Sequence, residues 1–372
     1  MIDLLIKRAR LLDERVVDIG IDKGVFVEIA PCVKTSARKT VELDGDTYVS
    51  AGWIDAHVHC YEAMNLYYDY PDEIGVSKGV TTVVDAGSTG ANNIGDFYER
   101  TRSAKTNVYA MINVAKTGIV AQNELANLDG IDKGALMGAV KAYSDFIVGL
   151  KVRMSQSVIG TNGIKPLLLA KEMQKACDGI RLMVHIGSAP PELEETLSYL
   201  NEWDVVTHCY NGKENGIVDK KSGLIKLAAK DAYARGVLFD VGHGTDSFNF
   251  AVAKQAFKEG IYSHTISTDI YHRNRENGPV YDLATTMEKF LVVGYKLEEI
   301  IRQVTINPAK LFNLASKGMV KVGYDGDLTV FKLVDKEKML TDSNGFTCKT
   351  RWQIMPIRTI VGGNVYDCND CS

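Results

Sequence analysis

The chain has 372 residues, of which 45% are hydrophobic and 24% charged, with a formal net charge of −4. That is the make-up of a globular protein long enough for one large core or two smaller ones. A near-neutral balance with no long run of one sign argues against a nucleic-acid-binding face, and no apolar stretch approaches the roughly 20 residues of a membrane helix.

The first residues, Met1 to Arg8, read as a strand and not as a basic segment followed by an apolar signal core. Residues 1–50 hold short alternating strands broken by turn signals such as Asp22-Lys23-Gly24 and Asp44-Gly45-Asp46. The pattern then changes. Mostly continuous apolar runs follow at 53–59, 80–86, 108–114, 146–152, 182–186, 205–210, 237–241 and 265–270. Such runs suit parallel strands covered on both faces. Helix-like stretches lie between several of them, at 166–177, 192–200, 223–235, 248–259 and 283–292, the first opening on Pro166. This alternation is the repeat of a (β/α)8 TIM-like barrel, an α/β fold. Residues 318–367 return to short strands, with Gly323 to Asp327 and Val361 to Asn364 as turn signals. Neither end buries a core easily alone. The expected organisation is therefore a composite β-sandwich from residues 1–50 plus 318–372, with the barrel, residues 51–317, inserted between its halves.

The cysteines (Cys32, Cys60, Cys177, Cys209, Cys348, Cys368 and Cys371) are odd in number and scattered. That predicts reduced thiols and a cytoplasmic protein. Cys368 and Cys371 have CxxC spacing but no partner pair, and read as a frayed tail.

The barrel strands end on chemistry-bearing residues. His57 and His59 stand two apart in a strand, so their imidazoles point the same way, as two ligands of one metal must. Lys151 ends the fourth strand, His185 the fifth, His208 the sixth and Asp269 the eighth. In this fold active sites are built at that rim. Imidazole and carboxylate are good ligands for Zn²⁺ and related ions. An ammonium is not a ligand. Beside two divalent cations the pKa of Lys151 should fall, and the free amine can take up CO₂ as a carbamate whose two oxygens bridge two metals. Arg153, two residues on, should face the same mouth and clamp a substrate carboxylate, or else neutralise neighbouring acids. His243, Tyr210 and Asn211 are further candidates for substrate contact. Tyr67, Tyr68 and Tyr70 read as lid or packing residues, Arg273 and Arg275 as loop charges, and the segment from Asp85 to Gly90 as a tight turn that leaves space near the metals.

With this ligand set, the chain resembles the amidohydrolase superfamily, in the binuclear form with a carboxylated lysine shared by dihydroorotases and dihydropyrimidinases. The resemblance implies that His57, His59 and Asp269 hold one metal and that His185 and His208 hold the other. Carboxylated Lys151 would bridge the two ions, with zinc the favoured metal. The segments 52–60, 151–155, 185–191, 208–212 and 240–248 are similar to a deacetylase group often labelled dihydroorotase-like or adenine-deaminase-like. The implied reaction is removal of an acetyl group, as ester or amide, from a small acid such as an acetylated α-hydroxy or α-amino acid. Metal-activated hydroxide would attack, with Asp269 as general base. A cyclic amidohydrolase, an adenine deaminase and a scaffold that has lost catalysis are the alternatives. The expected partner is a small acidic substrate, with homo-oligomerisation left open and neither nucleic acid nor membrane involved.

Overall fold

The computed structural model describes residues 1–368, so Cys371 and with it the CxxC reading lie outside the described residues. The N-terminal segment forms β1 (Ile2–Arg10), β2 (Val16–Asp22), β3 (Val25–Ala30), β4 (Ala37–Glu42) and β5 (Tyr48–Ala51). The middle of the chain forms β6 (Trp53–Val58), β7 (Val80–Ala86), β8 (Asn107–Asn113), β9 (Ile147–Met154), β10 (Arg181–Ile186), β11 (Val205–Thr207) and β12 (Leu238–Asp240). These seven pair in sequence order, all parallel. Helices such as Lys133–Ala142, Lys165–Ala176, Leu227–Ala234 and Phe250–Lys258 connect or follow them.

The eighth expected strand, at 265–270, is not regular. It makes single parallel bridges to both edges of the sheet, Asp240 with Thr265 and Val58 with Ile270. Its inward side chains are polar and already bonded: Thr265 and Ser267 donate to Asp240, and Thr268 donates to Asp55. Asp269 has a φ of +50°, in the left-handed region that an extended ladder does not tolerate.

Alternation along β9 and β10 decides what reaches the interior. Leu150, Val152, Met154, Leu182, Val184 and Ile186 pack outward in the core shared with the helices. Lys151, Arg153, Met183 and His185 therefore point inward. Deeper inside, Met183 joins Ile54, Ala56, Val84 and Met111, with Leu311 and Phe312 of the later chain in the same cluster.

The chain ends with β13 (Leu328–Thr341), β14 (Thr347–Val361) and β15 (Asn364–Asp367). β13 pairs antiparallel with β5, so both ends of the chain enter one eight-stranded sheet. Leu4, Ile6, Ile19, Ile21, Val49, Leu328, Val330 and Ile360 share its core. The strands of the two chain ends are thus joined in one hydrogen-bonded network. β1 supplies the continuity, because it pairs with β2, with β4 and, at Arg10, with β5. Among the described residues no helix is long and apolar enough to cross a membrane.

Candidate metal centre

A cavity of about 240 Å³ opens where the parallel strands end, and His57, His59, Lys151, Arg153, His185, His208 and Asp269 all line it. Asp269 Oδ1 lies 3.1 Å from His59 Nε2 and 3.4 Å from His57 Nε2. Donor atoms of these three residues lie within 4.8 Å of one another, the one such group among the described residues. Lys151 Nζ is 3.3 Å from His57 Nε2. His185 and His208 face each other with ring centroids 4.4 Å apart, and His208 lies 5.2 Å from His57.

Local backbone builds the site. His208 and Asp269 both have positive φ, +67° and +50°, a strained conformation for non-glycine residues that re-aims each side chain as its strand ends. Gly87, just past β7, has a φ of +88°, and a Cβ there would stand 2.6 Å from Lys151 Cβ. The turn after Asp85 thus makes the room that Lys151 occupies.

A shell of buried acceptors sets the histidine tautomers. His208 Nδ1 donates to Gly242 O at 2.7 Å, which leaves Nε2 with its lone pair toward the cavity. His57 Nδ1 lies 2.9 Å from Thr207 Oγ1 and 3.4 Å from Asp240, which also accepts from Thr207 at 2.7 Å. His59 Nδ1 meets Ser88 Oγ at 2.8 Å, and Asp85 accepts from the backbone of Ser88 and Cys60. Asp240 and Asp85 were not singled out as supporting residues from sequence. The only available signal was their place at or next to the last position of a strand.

The electrostatics favour ligand-ready forms. Burial lowers His59, holds His185 well below its ordinary range and brings His208 down to about 3, so all three are neutral at pH 7. His57 is raised, because Asp269 and Asp240 outweigh burial and Lys151. Burial opposes ionisation of Asp269, but His57 and hydrogen bonds from both histidines keep its carboxyl well below the usual range. Burial brings Lys151 down to about 7, a range in which a free amine is available. Neutral imidazoles at His59, His185 and His208, an ionised carboxylate and a deprotonatable lysine at one point are a donor set that fits divalent metal and a carbamate, and His57 would give up its proton to such an ion.

Not every expected contact is at the cavity. The Tyr210 hydroxyl is buried and donates to Ile261 O at 3.0 Å, beside Tyr295. Asn211 donates to His208 O and accepts from Lys213 N, and so braces the turn after β11. His243 Nδ1 donates to Gly244 O and Nε2 accepts from the buried Lys289 ammonium at 2.7 Å. These three do not line the cavity, since their polar groups are already used within the fold. Arg153 does line it, but Nη1 meets both oxygens of Glu124 at 3.2 Å and Nη2 donates to Gln122. Arg275 is not a free loop charge, because it grips the buried Asp69. Tyr67 packs over His59, against Tyr271, and bonds Gln122, while Tyr68 stacks on His272. Gln122, Lys213, Thr245, Asp246, Ser247 and Tyr271 also belong to the lining. They sit on irregular loops where no periodicity marks them.

A model of the deacetylase-like composite domain matches residues 320–367. A deacetylase of Enterococcus faecalis is 56% identical over 98% of this chain and 99% of its own length. The chain belongs to the deacetylase group of the amidohydrolase superfamily. It is similar to the crystal structure of a protein described as an adenine deaminase, at 56% identity and a TM-score of 0.98 over 99% of this chain and 100% of that one. It is also similar to the crystal structure of a protein described as a dihydroorotase, at 33% identity and a TM-score of 0.91 over 98% and 97%. Membership of this deacetylase group makes the protein a metal-dependent hydrolase, and the His57-His59-Asp269 group is its clearest metal-holding feature.

Proposed function

We propose that the protein removes acetyl groups, as esters or amides, from small acetylated α-hydroxy or α-amino acids. The observation that carries this reading is the Asp269 carboxylate, 3.1 Å and 3.4 Å from two imidazoles on the wall of a small polar cavity, in a chain 56% identical to a deacetylase. The scaffold in this reading is a (β/α)8 barrel over residues 51–317, with segment 265–270 as its eighth strand and the two chain ends as a composite partner domain. His57, His59 and Asp269 would hold one divalent ion and His185 and His208 a second, zinc being favoured. Lys151, as its carbamate, would lie between them. When bound, the ions supply an activated water and polarise the scissile carbonyl.

The chain's own residues do the rest. Asp269 takes the proton of the attacking water and hands it to the departing oxygen or nitrogen. Its carboxylate is ready for this because the histidines keep it ionised, and its 19% side-chain exposure leaves it open to the cavity. Asp240 and Ser88 fix the rings of His57 and His59. At about 240 Å³ the cavity is smaller than the roughly 300–1,000 Å³ of drug-sized ligand sites, which supports a small substrate. Arg153 and Lys213 add positive charge to the lining and support an acidic one, although each is paired, Arg153 with Glu124 and Lys213 with Asp246 at 2.8 Å. The solved relative described as an adenine deaminase favours a second reading on the same machinery, hydrolysis of an aminopurine or cyclic amide. Turnover of acetylated α-hydroxy and α-amino acids, dihydroorotate and adenine, before and after chelation, separates them. The first reading expects chelator-sensitive acetate release, and turnover of adenine or dihydroorotate alone would overturn it.

A further inference from the structure

β13 and β14 are 14 and 15 residues long, yet only four residues of β13 pair with β5. The surplus leaves the end sheet as a two-stranded ribbon and lies along the helix Leu283–Val293. Leu340 and Ile354 of this ribbon are buried in the barrel's outer core. Ile354 N donates to Glu288 Oε1 at 2.9 Å, and Lys338 Nζ pairs with Glu288 Oε2 at 2.9 Å. Seated this way, the ribbon delivers its tip to the mouth of the barrel. Buried Asp342 holds the tip together. Its carboxylate accepts from Asn344 N and Phe346 N, and from Phe250 N at the start of a barrel helix.

Ser343, next in the tip, touches both feet of one short loop. Its Oγ donates to Gly244 O at 3.0 Å, with His243 O at 3.3 Å as the alternative acceptor, and accepts from Phe248 N at 3.2 Å. Its own N–H donates to Phe248 O at 3.0 Å. Between the feet stand Thr245, Asp246 and Ser247, all three of which line the cavity. The inner foot presses on the site itself. Gly244 has a φ of +52°, and a Cβ there would stand 2.4 Å from Asp269 Oδ2. One residue of the end sheet's ribbon thus ties down both feet of a cavity wall whose middle is held by Tyr271 at Thr245 and by Lys213 at Asp246.

We propose that Ser343 is a positioning residue: it pins the loop from Gly244 to Phe248 and so sets which acyl acceptors the cavity takes. The pinned loop forms the outer wall, while the candidate metal ligands come from other segments. Loss of the pin therefore changes substrate fit and leaves metal retention alone. The selectivity half of this proposal rests on the deacetylase reading; the pinning half does not.

The test compares the full-length parent with Ser343→Ala and Ser343→Thr. Hydrogen exchange of residues 243–249, metal content, and kcat and KM on two acetylated acids of different size are measured. In Ser343→Ala, exchange at 244–249 should rise about 10-fold and KM for the smaller acid about 5- to 10-fold, the effect of one lost hydrogen bond. KM for the larger acid should change less, kcat should stay within about twofold, and metal content should not change. Ser343→Thr, which keeps the hydroxyl, should restore parental values. Asn344→Ala removes a tip contact to Asn249 outside the loop, and should leave the KM ratio unchanged. Unchanged exchange in Ser343→Ala overturns the pinning. Faster exchange with an unchanged KM ratio overturns the selectivity role. Equal losses of kcat on both acids together with lost metal would make Ser343 a general support of the fold, and overturn the proposal. Should Ser343→Ala fail to fold, Ser343→Cys, with its weaker donor, carries the same test. If the parent releases no acetate from any acid, the deacetylase reading fails and the exchange measurement still decides the pinning.

Discussion

Replacing Arg153 by Met strands a carboxylate. The Glu124 side chain has no solvent exposure, and both its oxygens lie 3.2 Å from Arg153 Nη1. Even with that partner, burial holds its carboxyl above the ordinary range. Without it, Glu124 has two courses in the folded variant. It can stay charged and unpaired, which costs about 3–5 kcal/mol. Or it can take up a proton, which for an acid with an ordinary value of 4.5 costs about 3.4 kcal/mol at pH 7. The cheaper course sets the ceiling. At pH 5 that ceiling falls to about 0.7 kcal/mol by the same relation. The sign is fixed by proton binding. The folded variant holds more protons than the unfolded chain between pH 4.5 and its raised value, so its stability falls as pH rises through that window. Arg153→Met should therefore lose about 3 kcal/mol against the parent at pH 7 and under about 1 kcal/mol at pH 5. Adding Glu124→Gln should recover most of the loss at pH 7. Urea unfolding of the three proteins at both pH values measures this. A loss equal at the two pH values, or a double variant no more stable than Arg153→Met at pH 7, would refute the reasoning. Any use of Arg153→Met to probe substrate charge needs the double variant for the same reason.

Asp269→Asn keeps the shape but removes the proton acceptor, and kcat should drop about 10²-fold or more with much of the metal retained; a metal-loaded variant at the parental rate would remove Asp269 from that role. Lys151→Ala should lose metal and activity together, and short-chain carboxylates should restore part of both by replacing the carbamate oxygens; metal analysis with and without them decides it. Glu259 accepts from Lys230, Gln255 and Ile225 N, which hold its carboxyl at about 2, so its contribution is present above pH 4.5 and is lost as pH falls toward 2. The gap in melting temperature between the parent and Glu259→Gln should therefore narrow over that range.

Much of this architecture is legible in the chain because its signals are local and periodic. The run 80–86 is apolar enough to mark β7 to the residue, and Pro166 marks the first turn of the helix Lys165–Ala176. The inward set Lys151, Arg153 and His185 follows from the two-residue period alone. What failed depends on contacts distant in sequence. Tyr210 and His243 follow strand ends as ligands do, but their partners Ile261 and Lys289 lie 51 and 46 positions away, and nothing local announces them. Glu124 is invisible for the same reason: a single acid on an irregular loop becomes important only because Arg153 reaches it. The eighth strand misled differently. Only Ile266 and Ile270 of its six residues are apolar, and polar side chains at 265, 267 and 268 with the left-handed Asp269 leave it single bridges in place of a ladder.

Pairing of β5 with β13 has a consequence for how the protein is made. Trp53 N bonds Thr329 Oγ1 across 276 positions of chain, next to that strand pair. At about 5–20 residues per second, a ribosome takes roughly 14–55 s to supply the partner. The strands β1, β2 and β3 can form an antiparallel meander as they emerge, but the flank of β5 has nothing to pair with in that interval. An open flank of this kind is a template for strands of other chains. During synthesis the hazard therefore lies in the waiting N-terminal strands, while the parallel sheet forms behind them. A permuted chain that begins near residue 318 and joins the old ends would leave about 96 residues between Thr329 and Trp53 in place of 276, and shorten that window to roughly 5–19 s.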